Sequence, residues 1–216
     1  MPQDMEWTPL GEHKRVPLLE RLRDTAPAGP GQGGWLRACD GARLFVQRWL
    51  PPGDRGPDRV VACLHGMIAH GMYFALTADA VCPDNGAVYS LDHRGHGLSQ
   101  GASADVKSLR RTLADVMQFL AMARAEHPGV PVFLLGQSMG ALFALNTVAR
   151  RDVRLAGLIL EAPPIGSKFT PDAGQMLRMP YYALRAAINP HHPVVDAHRA
   201  PSCVFSDRLP RPRWSM

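Results

Sequence analysis

The stretch PVFLLGQSMGALFAL, residues Pro131–Leu145, sets a serine between two glycines where one periodicity gives way to another. Val132, Phe133, Leu134 and Leu135 make a short unbroken apolar run, as in a strand buried on both faces. Gly140, Ala141 and Ala144 then open a helix of small residues. Gly136-Gln137-Ser138-Met139-Gly140 between them fits G-x-S-x-G, in which a sharp strand-to-helix turn lifts a serine hydroxyl clear of a sheet. Bulkier residues at the glycine positions would run into neighbouring elements, and the helix N-terminus beyond favours developing negative charge. The plainer reading is a structural turn serine. The strand before and the helix after argue for a nucleophile at Ser138 instead.

Working outward, Arg59–Gly66 (RVVACLHG), Ala87–Asp92 (AVYSLD) and Leu155–Pro163 (LAGLILEAP) repeat the continuous apolar run. Each reads as a strand of a parallel sheet. Helical patterns separate them: MYFALTADAV, and Asp105 to His127, where Val106, Leu109, Leu113, Val116, Leu120 and Ala123 recur at steps of three and four until Pro128-Gly129. Ahead of these, WLRACDGARLFVQRWLP reads as a hairpin about an Asp40-Gly41 turn. A hairpin followed by alternating strands and helices predicts an α/β domain with a mainly parallel sheet flanked by helices. Residues 1–34 read as an irregular N-terminal segment with a flexible entry, APAGPGQGG, and residues 35–165 as the core.

Two loops accompany the serine. LHGMIAHGMYF follows the first parallel strand, and a loop at that place supplies the second backbone donor that an acyl-transfer serine needs for its oxyanion. His65 is expected to hold this loop rather than to catalyse. LDHRGHGLSQG, from Leu91 to Gly101, follows the next strand. Its Asp92, His93, Arg94 and His96 match no dedicated metal-ligand spacing, so a hydrogen-bonded structural loop is expected.

Composition narrows the classes. At 216 residues, with 46% hydrophobic and 20% charged residues, the chain fits one soluble globular domain. The net charge of +5 is concentrated near the C-terminus, where Arg199, Arg208, Arg211 and Arg213 face only Asp207. No basic run with interleaved aromatics appears, so no nucleic-acid partner is expected. Cys39, Cys63, Cys82 and Cys203 are scattered without a paired or metal spacing. Cys63 reads as a small core hydrophobe. The N-terminus has no apolar signal region, and no apolar run approaches a membrane span, so the reducing cytoplasm is the expected compartment.

HGM after a strand, DHRGHGLSQG after the next and GQSMG after the third, in that order, resemble the α/β-hydrolase superfamily. More narrowly, they resemble its monoacylglycerol lipase/lysophospholipase branch, sometimes grouped with serine aminopeptidases. The resemblance spans roughly residues 35–190. It implies an α/β-hydrolase fold and Ser138 as nucleophile, with the backbone amides of Met67 and Met139 as oxyanion hole. It also implies a small acyl-ester or lipid substrate, and neither cofactor nor metal. Thioesterase and peptidase activities stay open, whereas a dehalogenase would need an aspartate where Ser138 stands. Residues 166–195, with Met176, Leu177, Met179, Tyr181, Tyr182, Leu184 and Ile188, fall where the branch inserts a mobile cap. The cap is expected to receive an acyl chain and to touch a membrane surface transiently, a helix pair over the core being the plainer reading.

The departures lie near the C-terminus. The family's triad aspartate and histidine follow two further strands, on loops that usually carry glycine, and no glycine follows Gly174. Asp196 and His198 come in the right order but only two residues apart, too close to leave from separate loops, with His191 and His192 nearby. Neither a substitute triad nor a histidine metal site is expected from them. Residues 196–216 read as an atypical tail, and the expectation is a chain lacking the last two strands. A catalytically incompetent hydrolase-like protein is therefore the alternative to a serine ester hydrolase.

Overall fold

The computed structural model describes residues 5–9, 31–106, 108–150 and 152–165, together with Met176, Pro180, Tyr181, Leu184 and Ile188, each helical. The chain divides into two units, Met1–Ser167 and Lys168–Met216. The rest of the expected cap, the tail from residue 196 and the His191, His192, Asp196 and His198 set lie outside the described residues.

Strands β1 (Thr8–Pro9), β2 (Gln32–Arg37), β3 (Arg43–Trp49) and β4 (Arg59–Leu64) lead through a 3-10 turn, Gly71–Phe74, into helix α1 (Ala75–Val81). Then follow β5 (Gly86–Leu91), α2 (Leu109–Glu126), β6 (Val132–Gln137), α3 (Met139–Arg150) and β7 (Gly157–Glu161). The sheet order is β1-β2-β3-β5-β4-β6-β7. Strands β1, β2, β3 and β5 pair antiparallel in turn, while β5, β4, β6 and β7 run parallel. This is the mainly parallel sheet expected, and its flanking helices follow from the side-chain period. In β4, Val60, Ala62 and Leu64 join the core shared with Val116, Phe119 and Leu120 of α2 and Phe143 and Ala144 of α3. Val61 and Cys63 point into the opposite core, with Phe74, Ala75 and Ala78 around α1. Each Val, Leu or Phe side chain among them, once buried, contributes about 1.5–3 kcal/mol. Cys63 is fully buried, and burial pushes its thiol well above the ordinary range.

Local details depart from the sequence reading. The hairpin turn holds three residues between Ala38 and Ala42, with Gly41 N donating to Ala38 O and Ala38 N to Ala42 O. Gly41 adopts φ 86°, the left-handed position that closes such a turn. Helix α2 starts at Leu109 instead of Asp105, because Ser108 caps it by accepting from Arg111 N, while Ala104 N is drawn back to Gly95 O. Strand β2 begins at Gln32 and pairs there with Pro9, inside the stretch read as irregular. Strand β7 pairs with β6 and, among the described residues, no other strand, and Ile159 is 44% exposed.

The order also locates a site. From β4 the chain moves to β5 on one side and then to β6 on the other, so the winding reverses at β4. Ligands of open parallel sheets sit beyond the carboxyl ends of the strands where that reversal occurs. Leu64 registers with Gly136 across β4 and β6, so the residues after each strand emerge side by side there.

Candidate active site

Ser138 stands between β6 and α3 with φ 49°, a left-handed backbone that costs a non-glycine residue roughly 1–2 kcal/mol. The turn is held from both sides. Ser138 N donates to Glu161 O at 2.9 Å, while Ser138 O accepts from Ala141 N at 3.0 Å. The two flanking glycines are there for want of space. A Cβ on Gly136 would lie 2.5 Å from Gly140 O and 2.7 Å from Ala141 Cα, and one on Gly140 would lie 2.1 Å from Leu64 O. With backbone on every side, neither position accepts even alanine without moving a strand or a helix.

The loop after β4 closes over this turn. A Cβ on Gly66 would sit 3.3 Å from Ser138 Cβ, so Met67, next in the chain, leaves from a residue packed on the serine. The side chain of Met67 is 66% exposed and that of Ile68 60%, and Ile68 has φ 58°. Left-handed backbone at a β-branched residue is an outlier, and no local pattern marks it.

His65 is fully buried. Its Nε2 accepts from His93 N at 3.0 Å, so the ring proton is on Nδ1, which donates to Gly66 O at 2.7 Å. Burial, with His93 and His96 beside it, holds His65 neutral, well below the usual histidine range. With both nitrogens engaged, His65 is a strut of the loop and takes no proton from Ser138.

The DHRGHG loop is bound just as internally. Arg94 donates to both oxygens of Asp40 at 2.8 and 2.9 Å and to both oxygens of Asp115 at 2.5 and 2.9 Å. It thus ties the hairpin turn to α2. His96 Nδ1 lies 2.9 Å from Arg94 O. Burial, with His96 nearby, lowers His93 to about 3. The rings of His65 and His93 are 4.4 Å apart, yet among the described residues no three such side chains are placed to hold a metal ion.

One pair was not legible in the sequence. Gln137 and Glu161 register across β6 and β7, and Gln137 Nε2 approaches Glu161 Oε1 at 3.4 Å, setting a carboxylate beside the serine turn. Pairing between strands assembles it. Among the described residues no side chain hydrogen-bonds Ser138 Oγ.

The model of the family described as serine aminopeptidase, S33, matches residues 55–208, more than half of the chain. Human monoglyceride lipase is 35% identical over 125 residues, which is 58% of this chain and 41% of that protein. Monoacylglycerol lipase of Mycolicibacterium smegmatis is 30% identical over 127 residues, 59% of this chain and 45% of that protein. The chain thus spans less than half the length of either relative. Among solved structures, a soluble variant of monoglyceride lipase from Saccharomyces cerevisiae superimposes with a TM-score of 0.57. It is 21% identical, over 73% of this chain and 53% of that one, a likeness of fold.

Proposed function

The chain belongs to the serine aminopeptidase, S33, family of α/β hydrolases, and from that premise we propose that Ser138 is the nucleophile of a carboxylic-ester hydrolase. The substrate class is a monoacylglycerol- or lysophospholipid-like ester. The observation that carries the reading is the left-handed Ser138 at the β6–α3 turn, with Gly66 packed against it. In the reaction, Ser138 Oγ forms a bond to the acyl carbon while its proton passes to a base. The carbonyl oxygen takes up negative charge facing the amides of Met67 and Met139, the alcohol leaves with a proton, and water then cleaves the acyl-enzyme. The amides work through the backbone, so the exposed side chain of Met67 is free to contact the acyl group, while that of Met139 packs against the core. The segment 166–195 is proposed as the cap over that group, and the cytoplasm as the compartment. Among the described residues, no helix is long and apolar enough to cross a membrane.

Two observations favour a second reading, a hydrolase-like protein that binds esters without turning them over. Both nitrogens of His65 are spent on the loop, and no described side chain bonds Ser138 Oγ. A fluorophosphonate probe followed by peptide mass spectrometry tests the first. The adduct is expected on Ser138 and absent from Ser138→Ala; an adduct on another serine with Ser138 free removes the assignment. Labelling of Ser138 with no turnover of monoacylglycerol by the same preparation selects the second reading.

A further inference from the structure

We propose that Asp92 is a positioning residue for the oxyanion loop: its carboxylate and the neighbouring His93 amide clamp the two feet of His65–Gly71, and so hold the Met67–Ile68 turn beside Ser138. The inference rests on the roles proposed above for Ser138 and Met67.

At the first foot, His93 N donates to His65 Nε2 at 3.0 Å. At the second, Gly71 N donates to Asp92 Oδ1 at 2.6 Å. Consecutive residues past the end of β5 thus grip both ends of a loop that belongs to β4. The carboxylate is itself fixed, since Gln47 Nε2 donates to Oδ1 at 3.0 Å and Leu98 N to Oδ2 at 2.8 Å. Asp92 is 1% exposed, and every one of these partners is an uncharged N–H. A buried carboxylate satisfied only by such donors is poor material for stability. Burial accordingly raises its pKa to about 6, against the pull of the three donors. Such an expensive group implies a purpose in what it holds.

The glycines around it fit the same account. A Cβ on Gly71 would fall 2.0 Å from Ser90 Oγ and 3.0 Å from Asp92 Oδ1, and one on Gly97 would fall 1.9 Å from Asp92 Oδ2. The second glycine of DHRGHG is thus shaped by the carboxylate itself, and the second of HGMIAHG by Ser90 and Gln47 with the carboxylate beside them, so Asp92 touches two motifs that look separate in the sequence. Between the clamped feet lies Ile68 at φ 58°, its side chain 60% exposed. Packing does not hold that conformation. A backbone in so unfavourable a region persists only when its surroundings over-determine it, and here the two feet do so.

The experiment compares Asp92→Ala and Asp92→Asn with the natural chain by two readouts. One is the rate (kinact) and affinity (KI) of fluorophosphonate modification at Ser138. The other is amide hydrogen exchange, followed by mass spectrometry, across residues 66–71 and across α2 and α3. Asparagine keeps an oxygen for Gly71 N and Gln47 Nε2; alanine keeps none. Asp92→Ala is expected to lower kinact about 10–100-fold, the scale of losing one oxyanion donor, with KI within about threefold. It should speed exchange over 66–71 about tenfold or more while the helices stay protected. Asp92→Asn should recover most of both. Modification of Asp92→Ala at the natural rate would overturn the proposal, as would exchange that quickens evenly through the fold with Asn no better than Ala. If the natural chain is not modified at all, the Ser138 reading fails, and exchange alone decides the clamp by the same criteria. Should Asp92→Ala not fold, the Gly71 amide of the natural chain decides: protection matching β4 supports the clamp, and free exchange overturns it.

Discussion

Glu126, at the close of α2, and Asp92, just past β5, are each held by several hydrogen bonds, but of different kinds. Glu126 accepts from Arg48 at 2.5 Å, from Tyr89 Oη at 2.6 Å and from Trp7 Nε1 at 2.8 Å. Arg48 also lies over the Trp7 ring, 4.0 Å from its centroid, so charge, aromatic face and carboxylate close on one another. Asp92 has only N–H donors, from β3, from the loop after β4 and from its own loop. A carboxylate with a cation beside it fastens β3, β5 and α2 to the residue just ahead of β1. One without a cation adds little net stability and holds backbone in place. The difference separates a part of the molecule built to stay folded from one proposed above to aim amides.

The sharpest way to break this comparison is at Glu126. Glu126→Ala strands Arg48 with 16% of its side chain exposed and takes away the partner of Trp7, which should cost about 2–3 kcal/mol in denaturant unfolding. Fluorophosphonate modification of Ser138 in the folded protein should be unchanged. A slowed modification without loss of stability would mean the two carboxylates do not differ as described.

Acid sharpens the contrast. His93, lowered to about 3, and His65, held well below its ordinary value, both stay neutral in the fold. Their contribution is complete above the unfolded histidine value and is lost as pH falls below about 6.5. Asp92, raised to about 6 from 3.8, acts in the other direction: its contribution is present below 3.8 and is lost as pH rises through about 6. Between these values the carboxylate offsets part of the histidines' acid loss. Asp92→Asn removes the offset, so its unfolding free energy should fall more steeply from pH 6 to 4, by up to about 1.4 kcal/mol per pH unit. Denaturant unfolding at a series of pH values measures the slope. A shallower slope in Asp92→Asn would reverse the assignment.

The smallest effect is expected at Ile68. Glycine accepts φ 58° without penalty but gives up more freedom on folding, so Ile68→Gly should stabilise the chain by about 1 kcal/mol or less in thermal unfolding. A loss of stability would show that the isoleucine side chain, despite its exposure, packs in a way that holds the turn.

Much of the fold was legible because its signals are local. The apolar runs became β4, β5, β6 and β7, and the three-and-four spacing after Lys107 became α2. Gly136 marked a tight turn, since its need for space comes from backbone a few residues away at Gly140 and Ala141, whereas the need at Gly140 comes from Leu64 of β4, which only the sheet brings there. The helix start was misplaced by four residues because Ser108 and the pull of Gly95 on Ala104 compete with periodicity, and periodicity does not see them.

By itself, then, the sequence determined the strand–turn–helix at Ser138, the order of strands and helices, and the loops on which a hydrolase of this family depends. Each follows from backbone preferences and side-chain period over fewer than twenty residues. The tertiary structure decided that β4 lies between β5 and β6, which brings Gly66 to Ser138. It decided that Glu161 meets Gln137, and that the Asp92 carboxylate accepts from Gln47, Gly71 and Leu98. It also put Ile68 in the left-handed region. A hydrogen bond between groups 21 or 45 positions apart depends on where a sheet has carried both, and no local preference of either residue records that position.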